Sequence, residues 1–314
     1  RGRLRPLRRP APADVSGPII PFVKDITFEY GACDQVSPLI RRVVANNPGP
    51  FTFLGTGTYI IGKGQVAVID PGPDLDDHLE AILAATAGET ITDILITHHH
   101  ADHSPLAGPL KARTGARIQG CPPSRIGAAD GVVVEADEDE SFRPEIVIRG
   151  GEIIRGPGWT LEAVATPGHT LNHICFALHE ENALFSGDHI MGWSTTVVSP
   201  PGGDMTAYME SLQKVADRKF DILWPTHGPP ITEVAPFIAA YAAHRRAREA
   251  QFLACVDKGV GRIADMVPEL YAAVDKRLHP AAANSLLGHA IDLVRRGVLA
   301  CDGEPGPGST YRRP

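Results

Sequence analysis

The stretch Thr97-His98-His99-His100-Ala101-Asp102-His103 holds the densest set of chemically able side chains in the sequence. It follows Ile91-Thr92-Asp93-Ile94-Leu95-Ile96, a short run rich in β-branched residues that reads as a buried strand, so the histidines fall where the backbone leaves a sheet. In an extended loop alternate side chains face one way, which lets His98 and His100 grip one ion while Asp102 and His103 turn toward a second. Neutral imidazole and carboxylate suit zinc, and iron or manganese as well. Taken alone, a histidine triplet reads about as readily as a solvated turn, because His-rich tracts are compositional signals only. Three later stretches tip that balance. Thr166-Pro167-Gly168-His169-Thr170, Ser186-Gly187-Asp188-His189 and Pro225-Thr226-His227-Gly228 each set a ligand-type residue in a glycine-bounded turn after an apolar segment.

The elements that would position these residues follow from periodicity. Thr58–Ile61 and Val66–Ile69 read as strands joined at Gly62-Lys63-Gly64, a hairpin signal. Asp70 ends the second strand, where it is also an ordinary turn aspartate ahead of Pro71-Gly72. Leu75–Ala87 predicts an amphipathic helix with Leu79, Ile82 and Leu83 inward, and Leu106–Arg113 a second helix after the ligand loop, completing a βαβ-like half. The pattern weakens between Cys121 and Gly158, and the acidic run over residues 135–140 reads as a solvated loop. Strands resume at Leu161–Ala165, His173–Leu178 and Ala183–Phe185, followed by a helix over Thr206–Val215 and a short strand at Asp221–Trp224. His169, Asp188 and His227 then stand at strand ends, where a sheet holds loops rigidly yet open to substrate. The Ser, Thr, Gly and Pro-rich loop Gly192–Asp204 reads equally as a cleft wall or as plain surface.

After Ile231 the character changes. Val234–Lys258 predicts one long helix, Arg262–Ala273 and Ala282–Arg296 two more, and Gly297 a C-terminal cap; Val298–Cys301 with the Gly/Pro-rich tail suggests a strand and a wing.

Composition sets the outer limits. With 314 residues and 43% hydrophobic content, the chain can build one large domain and a small one. No run of about eighteen apolar residues exists, so no membrane span is expected. The five cysteines (Cys33, Cys121, Cys175, Cys255, Cys301) are scattered and odd in number, which argues against a disulfide framework or a thiolate metal site and for a reducing, cytoplasmic setting. Arg1, Arg3, Arg5, Arg8 and Arg9 precede a Pro/Ala segment and predict a disordered basic tail, in preference to a nucleic-acid arm; an Arg-rich, acid-poor start also fits a transit peptide, though serine is scarce. Against a net charge of −7, that tail carries +5 and residues 258–314 carry +2, which leaves residues 10–257 at −14. A polyanion such as RNA would need metal ions and local bases (Arg245, Arg246, Arg295, Arg296) to overcome that field.

The order His98-x-His100-x-Asp102-His103, His169, Asp188, His227, with Ile69-Asp70-Pro71-Gly72 ahead of it, resembles the metallo-β-lactamase superfamily across most of residues 19–235. The resemblance implies an α/β fold, a four-layered αβ/βα sandwich, with two divalent metal ions, zinc foremost and iron or manganese as alternatives. It further implies that His98, His100 and His169 hold one ion, that Asp102, His103 and His227 hold the other, and that Asp188 bridges them, with Asp70 beneath the site orienting ligands. His99 and Ala101 fall at variable positions, and His189 reads as structural or as a support behind the ligands. The C-terminal segment looks like a winged-helix appendage. Together with Asn46-Asn47-Pro48-Gly49-Pro50 ahead of Gly55-Thr56, it is similar to the branch holding a mitochondrial single-strand-specific endoribonuclease and fungal acyl-carrier-protein thioesterases. The expected organisation is a tail over 1–18, a catalytic domain over 19–235, a linking helix over 236–258 and a winged-helix-like domain over 259–314.

Two metals sharing a carboxylate lower the pKa of a bridging water toward neutrality and stabilise charge on the attacked oxygen, so the expected reaction is hydrolysis, with Asp102 as the base that positions the nucleophile. The acidic module favours a small thioester, lactone or similar carbonyl ester as substrate. Single-stranded RNA is the alternative that a winged helix would favour, and a non-catalytic binding protein is a third reading that seven intact ligand positions disfavour. True β-lactamase activity is disfavoured because no signal peptide with an apolar core is visible. A homodimer through the alanine-rich helix or the appendage is compatible with the sequence.

Overall fold

A computed structural model describes residues 19–123 and 138–314. The arginine-rich tail and residues 124–137, which include the first half of the acidic run, lie outside the described residues.

Two mixed sheets form the centre. The first holds β1 (Cys33–Gln35), β2 (Ile40–Val44), β3 (Gly57–Lys63), β4 (Gln65–Ile69), β5 (Thr90–Leu95), β6 (Arg117–Gly120) and β7 (Ile146–Val147) in sequence order. Its first three pairings are antiparallel; from β4 onward they are parallel, with α1 (Asp76–Ala85) and α2 (Ala107–Thr114) as the crossovers for β4–β5 and β5–β6. The expected hairpin is the β3–β4 turn, with Gly64 at φ +74° at its tip, a conformation that costs glycine little. The second sheet runs β12-β11-β10-β9-β8, built from β8 (Ile153–Gly156), β9 (Trp159–Ala165), β10 (Ile174–Leu178), β11 (Ala183–Gly187) and β12 (Ile222–Pro225). Its β11–β12 pair is parallel, spanned by the crossover helix α3 (Met205–Arg218).

Alternation along the strands divides the interior into three layers of apolar packing. Tyr59, Ile61, Ala67 and Ile69 of the first sheet meet Leu161, Ala163, Phe176 and Phe185 of the second between the sheets. Their neighbours Ile60, Val66, Val68 and Ile94 face the other way, against Leu79 and Ile82 of α1 and Leu110 of α2. Val164, Cys175, Ala177 and Leu184 turn outward from the second sheet to Tyr208 and Leu212 of α3. The result is the four-layered helix/sheet/sheet/helix sandwich, with both sheets covered on both faces.

The long helix α4 (Val234–Asp257) joins two cores: Val234, Phe237, Ile238 and Tyr241 pack with α3, while Phe252, Cys255 and Val256 pack with α5 (Ile263–Leu270) and α6 (His279–Arg295). The expected terminal strand appears as reciprocal hydrogen bonds of 2.9 Å between Ala300 and Arg312, and Tyr311 is buried against Phe252. Its shortness follows from the Gly/Pro-rich segment between, which leaves few residues free to extend the ladder. Among the described residues no helix is long and apolar enough to cross a membrane.

Candidate metal centre

The site lies where β4, β5 and β12 end, and Asp70 ties the three ends together. Its residue sits at φ +48°, a left-handed conformation that aspartate tolerates better than most side chains, and it is fully buried. Oδ1 accepts from the Thr97 backbone N–H at 2.8 Å. Oδ2 accepts from Thr97 Oγ1 at 2.8 Å, His103 Nδ1 at 2.9 Å and Thr226 Oγ1 at 3.1 Å. One carboxylate therefore orients the start of the histidine loop, one of its imidazoles, and the residue before His227.

Three groups of donors converge above it: His98, His100 and His169; His98, His103 and Asp188; and Asp102, His103 and His227, the donor atoms of each group lying within 4.8 Å of one another. In the first group, Thr97 Oγ1 gives its proton to Asp70, so it accepts from His98 Nδ1 at 3.0 Å and leaves His98 Nε2 as a bare lone pair. His169 Nδ1 donates to the Val197 carbonyl at 2.7 Å, which likewise leaves Nε2 unprotonated. Both lone pairs point at His100 Nδ1, 3.0 and 3.3 Å away. A single proton on that atom satisfies one of them well, whereas a cation at the point of convergence takes all three.

The second group repeats the logic. His103 Nδ1 donates to Asp70, and His227 Nδ1 to the Gly55 carbonyl at 3.2 Å, so each turns Nε2 toward carboxylates. Asp102 Oδ2 is 3.6 Å from His103 Nε2 and 3.1 Å from His227 Nε2. Asp188 Oδ2 lies 3.6, 3.5 and 3.9 Å from the Nε2 atoms of His103, His227 and His169, a central position reached from both groups. Asp102 Oδ1, Asp188 Oδ1, His103 Nε2 and His227 Nε2 are buried without a hydrogen-bond partner. Buried polar atoms of that kind are costly unless a ligand satisfies them, and this donor set fits divalent cations.

The electrostatics agree. Burial, then neighbouring imidazoles, hold His98 and His100 well below the ordinary histidine range, keeping them in the neutral, ligating form. Burial would also lower His103 and His227, but Asp102 and Asp188 outweigh it: His103 is raised well above its ordinary value and His227 to about 10. Burial would raise the two carboxyls, yet the facing imidazoles hold both well below the carboxylate range. Without a metal, protons on His103 and His227 supply the positive charge that this pocket of carboxylates requires.

Glycine is required at the turn before His169. Gly168 has φ +148°, and a Cβ there would lie 2.4 Å from Tyr208 Cα and 2.5 Å from Tyr208 Cβ. Gly168→Ala is expected to destabilise the protein by roughly 3 kcal/mol or more, since backbone, not a flexible side chain, would have to move. Chemical denaturation checks this; an unchanged midpoint would show that α3 can yield.

Of the residues assigned no ligand role, His99 turns away to Asn172 Oδ1 at 3.0 Å and Glu138 at 3.5 Å, and His189 is buried beside Tyr208, its pKa pushed down to about 3 by burial. The described end of the acidic run differs from the expected solvated loop. Asp139 N–H donates to the His99 carbonyl at 2.7 Å and Asp139 Oδ2 accepts from Ser104 at 2.8 Å, so the segment clamps the ligand loop. Sequence reasoning passed over His173, expected only as the first residue of a strand. Its Nε2 accepts from the Asp188 N–H at 3.2 Å and its Nδ1 meets Thr166 Oγ1 at 2.8 Å, which fixes the backbone that carries Asp188. His78 of α1 is another: its Nε2 bonds Thr58 Oγ1 at 2.8 Å, and Thr58 donates to the Asp70 carbonyl at 2.7 Å. No spacing signal could have linked residues so far apart.

Three of the four arginines that an RNA reading would recruit are engaged elsewhere. Arg245 is buried, donating to the Thr196 carbonyl and standing over the Tyr208 ring at 5.1 Å. Arg295 pairs with Asp204 at 2.9 Å, and Arg296 with Glu249 at 2.7 Å and Asp292 at 2.8 Å. Arg246 is exposed.

Comparison with known proteins agrees with this geometry. Residues 52–227 match the metallo-beta-lactamase superfamily, and residues 263–305 match the beta-lactamase associated winged helix domain. The chain is 32% identical over 271 residues to the beta-lactamase-like protein 2 homolog of Caenorhabditis elegans, covering 85% of this chain and 88% of that one. It is 31% identical over 287 residues to an atrochrysone carboxyl ACP thioesterase of Paecilomyces divaricatus, covering 84% and 85%. Among solved structures, a beta-lactamase domain protein from Burkholderia ambifaria superposes with a TM-score of 0.77 at 23% identity, over 92% of this chain and 96% of that one, which speaks to the fold alone. With the family match covering more than half its length and these relatives covering most of it, the chain belongs to the metallo-β-lactamase superfamily and is a hydrolase of that superfamily with a C-terminal winged-helix domain.

Proposed function

We propose that the protein hydrolyses a thioester, lactone or similar carbonyl ester with two divalent ions, one held by His98, His100 and His169, the other by Asp102, His103 and His227, with Asp188 shared. The observation that carries the reading is the convergence of two adjacent sets of inward-facing donors on the Asp188 carboxylate. When bound, such a pair supplies a water acidified toward neutral pH and positive charge beside the oxygen being attacked. The chain's own contribution is orientation. Asp70 fixes the tautomer of His103, the Val197 carbonyl fixes that of His169, and the Gly55 carbonyl fixes that of His227. Asp102 engages His227 through Oδ2 and keeps Oδ1 without a hydrogen bond, available to align the attacking water and accept its proton. The thioesterase named among the relatives supports a carbonyl ester as the substrate class.

The test is turnover of an acyl thioester by metal-replete protein, beside a fluorescent single-stranded RNA, a chelated sample and Asp102→Asn. Chelator-sensitive thioester turnover is expected, falling on the order of 10²–10⁴-fold in Asp102→Asn with metal content retained. RNA cleavage lost on chelation and in the variant, without thioester turnover, would overturn the ester reading. Full activity in Asp102→Asn would remove Asp102 from the mechanism.

A further inference from the structure

Two cavities of about 590 and 190 Å³ lie side by side between the body of the protein and its C-terminal helices. They share Pro50, Phe51, Val197, Leu278 and Ala281, so they are two chambers of one groove. The larger is mainly apolar, walled by the Pro48–Phe53 loop on one side and Leu278, Pro280 and Ala281 on the other, with Asp275 and Arg277 in its lining paired to each other at 2.7 Å. The smaller is of different chemistry: His244, Arg245, Arg248 and Ser285 line it together with Trp193 and Tyr271, and no carboxylate does.

The loops that wall the groove also hold residues of the metal centre. Val197, which lines both chambers, gives its carbonyl to His169; the loop carrying Pro50, Phe51 and Phe53 continues to Gly55, whose carbonyl holds His227; and Phe53 stacks on Trp193 at 4.8 Å. The same two loops thus shape the groove and hold an imidazole of each donor group.

The arginines lack the partners that such charges require. Arg245 is buried, its contacts being the Thr196 carbonyl, the Ser285 hydroxyl at 3.4 Å and the Tyr208 ring, and its Nε has no hydrogen-bond partner. Arg248 donates to the Leu270 carbonyl at 2.7 Å and the Gln251 side-chain oxygen at 2.8 Å and lies 4.0 Å from the centroid of Tyr271. Among the described residues neither forms an ion pair with a carboxylate, whereas Arg295 and Arg296 at the end of the neighbouring helix α6 both do. A withdrawn guanidinium without a counterion is unfavourable unless a ligand supplies one. Burial and these two arginines also push the His244 imidazole down to about 4, so it stays neutral and adds no third charge.

We propose that this groove is the acyl site of the ester substrate and that Arg248 and Arg245 hold an anionic group on it, so that the substrate is the ester of an amphipathic organic acid bearing a second acidic function. The apolar chamber takes the acyl body and the arginine chamber takes the charge. The proposal rests on the ester reading above, but its binding step can be measured without hydrolysis.

The first arm is a titration of the metal-loaded full-length protein with decanoate and with decanamide, read by tryptophan fluorescence, since Trp193 lines the arginine chamber; Trp193→Phe identifies its share of the signal. Decanoate is expected to bind about tenfold or more tightly than decanamide, as one charge-assisted pair in a partly dry site provides. In Arg248→Gln that ratio should fall to about one, and Ala281→Trp, which fills the shared wall, should weaken both ligands about tenfold. Equal affinity of the unaltered protein for the two ligands would overturn the proposal. So would a preference left undiminished in Arg248→Gln, because the carboxylate would then be read away from this chamber, at the metal ions. The second arm compares kcat/KM for the p-nitrophenyl monoester of a long dicarboxylic acid with that for its methyl-capped form: a preference of about tenfold for the free acid, through KM, is expected, and no preference overturns it. If neither ester turns over while decanoate binds as stated, the ester reading fails and the groove stands as an organic-anion site.

Discussion

Asp188→Asn is expected to lower kcat/KM by on the order of 10³-fold, equivalent to about 4 kcal/mol, and to reduce the bound metal from two ions toward one. The reason is position rather than charge alone. Asp188 Oδ2 stands within 3.9 Å of imidazole nitrogens from both donor groups, while its backbone N–H is held by His173. An amide in the same place keeps one acceptor oxygen but loses the negative charge that lets one side chain serve two cations. His103 and His227, which face two carboxylates, would then face one. Elemental analysis of gel-filtered protein together with steady-state kinetics checks both halves of the expectation. A variant that keeps two ions and full turnover would show that Asp188 is a bystander and that the two donor groups act separately.

The candidate donor positions stood out because their local context is unusual: four crowd into one loop after an apolar strand, and His169, Asp188 and His227 each follow an apolar segment beside a glycine. Gly168, Gly187 and Gly228 all have positive φ, so the glycines that flagged these turns are required by conformation. The seven strands that periodicity marked lie within a residue or two of their observed ends, but β1, β2, β6, β7 and β8 were not anticipated, being short or at the margins of the sheets. The face each side chain presents was not legible either. Val66 through Ile69 is wholly apolar because both sides of its sheet are covered, so no polar residue marks the outward direction, and the division of Ala67 from Val66 and Val68 between two layers emerges only on packing. The supports of the site were illegible for another reason. His173 links Thr166 to the Asp188 backbone and His78 meets Thr58, contacts that form only once the strands are paired and α1 is packed, and one histidine in a strand or helix carries no periodic signal.

The arginines show the same limit in reverse. Arg245 in an alanine-rich helix reads as a surface base, and three residues of polar sequence around it reinforce that reading. Its burial comes from the Gly192–Asp204 loop, which folds over α4 so that Tyr241 donates to the Met191 carbonyl at 3.0 Å while Arg245 takes the Thr196 carbonyl. The loop whose sequence left a cleft wall and a plain surface equally open lines the groove beside the C-terminal helices, and it is anchored by the helix that joins the two cores.

Asp70→Asn isolates the role of the carboxylate beneath the centre, because asparagine accepts the φ of +48° as readily as aspartate and nearly matches it in size. What changes is the number of acceptors. Asp70 receives four hydrogen bonds, from Thr97 N–H, Thr97 Oγ1, His103 Nδ1 and Thr226 Oγ1. An amide offers one oxygen and must set its NH₂ against either the Thr97 N–H or the group of three donors at Oδ2. Placing the nitrogen toward Thr97 opposes one donor and spares three, so that rotamer is preferred, at a cost of about 1–3 kcal/mol for the buried clash. His103 keeps its partner but loses the negative charge that made its Nε2 a strong donor, and metal affinity is expected to fall about 10–100-fold. Competition with a chromophoric chelator measures that loss, and thermal unfolding of the metal-free protein measures the clash without it. Asp70→Ala serves as the contrast: it removes every acceptor and forces alanine into a left-handed conformation, so it should be worse than asparagine on both readouts. If the two variants lost metal equally while Asp70→Asn kept full metal-free stability, the charge on Asp70 would be its whole contribution, and the four hydrogen bonds would be replaceable.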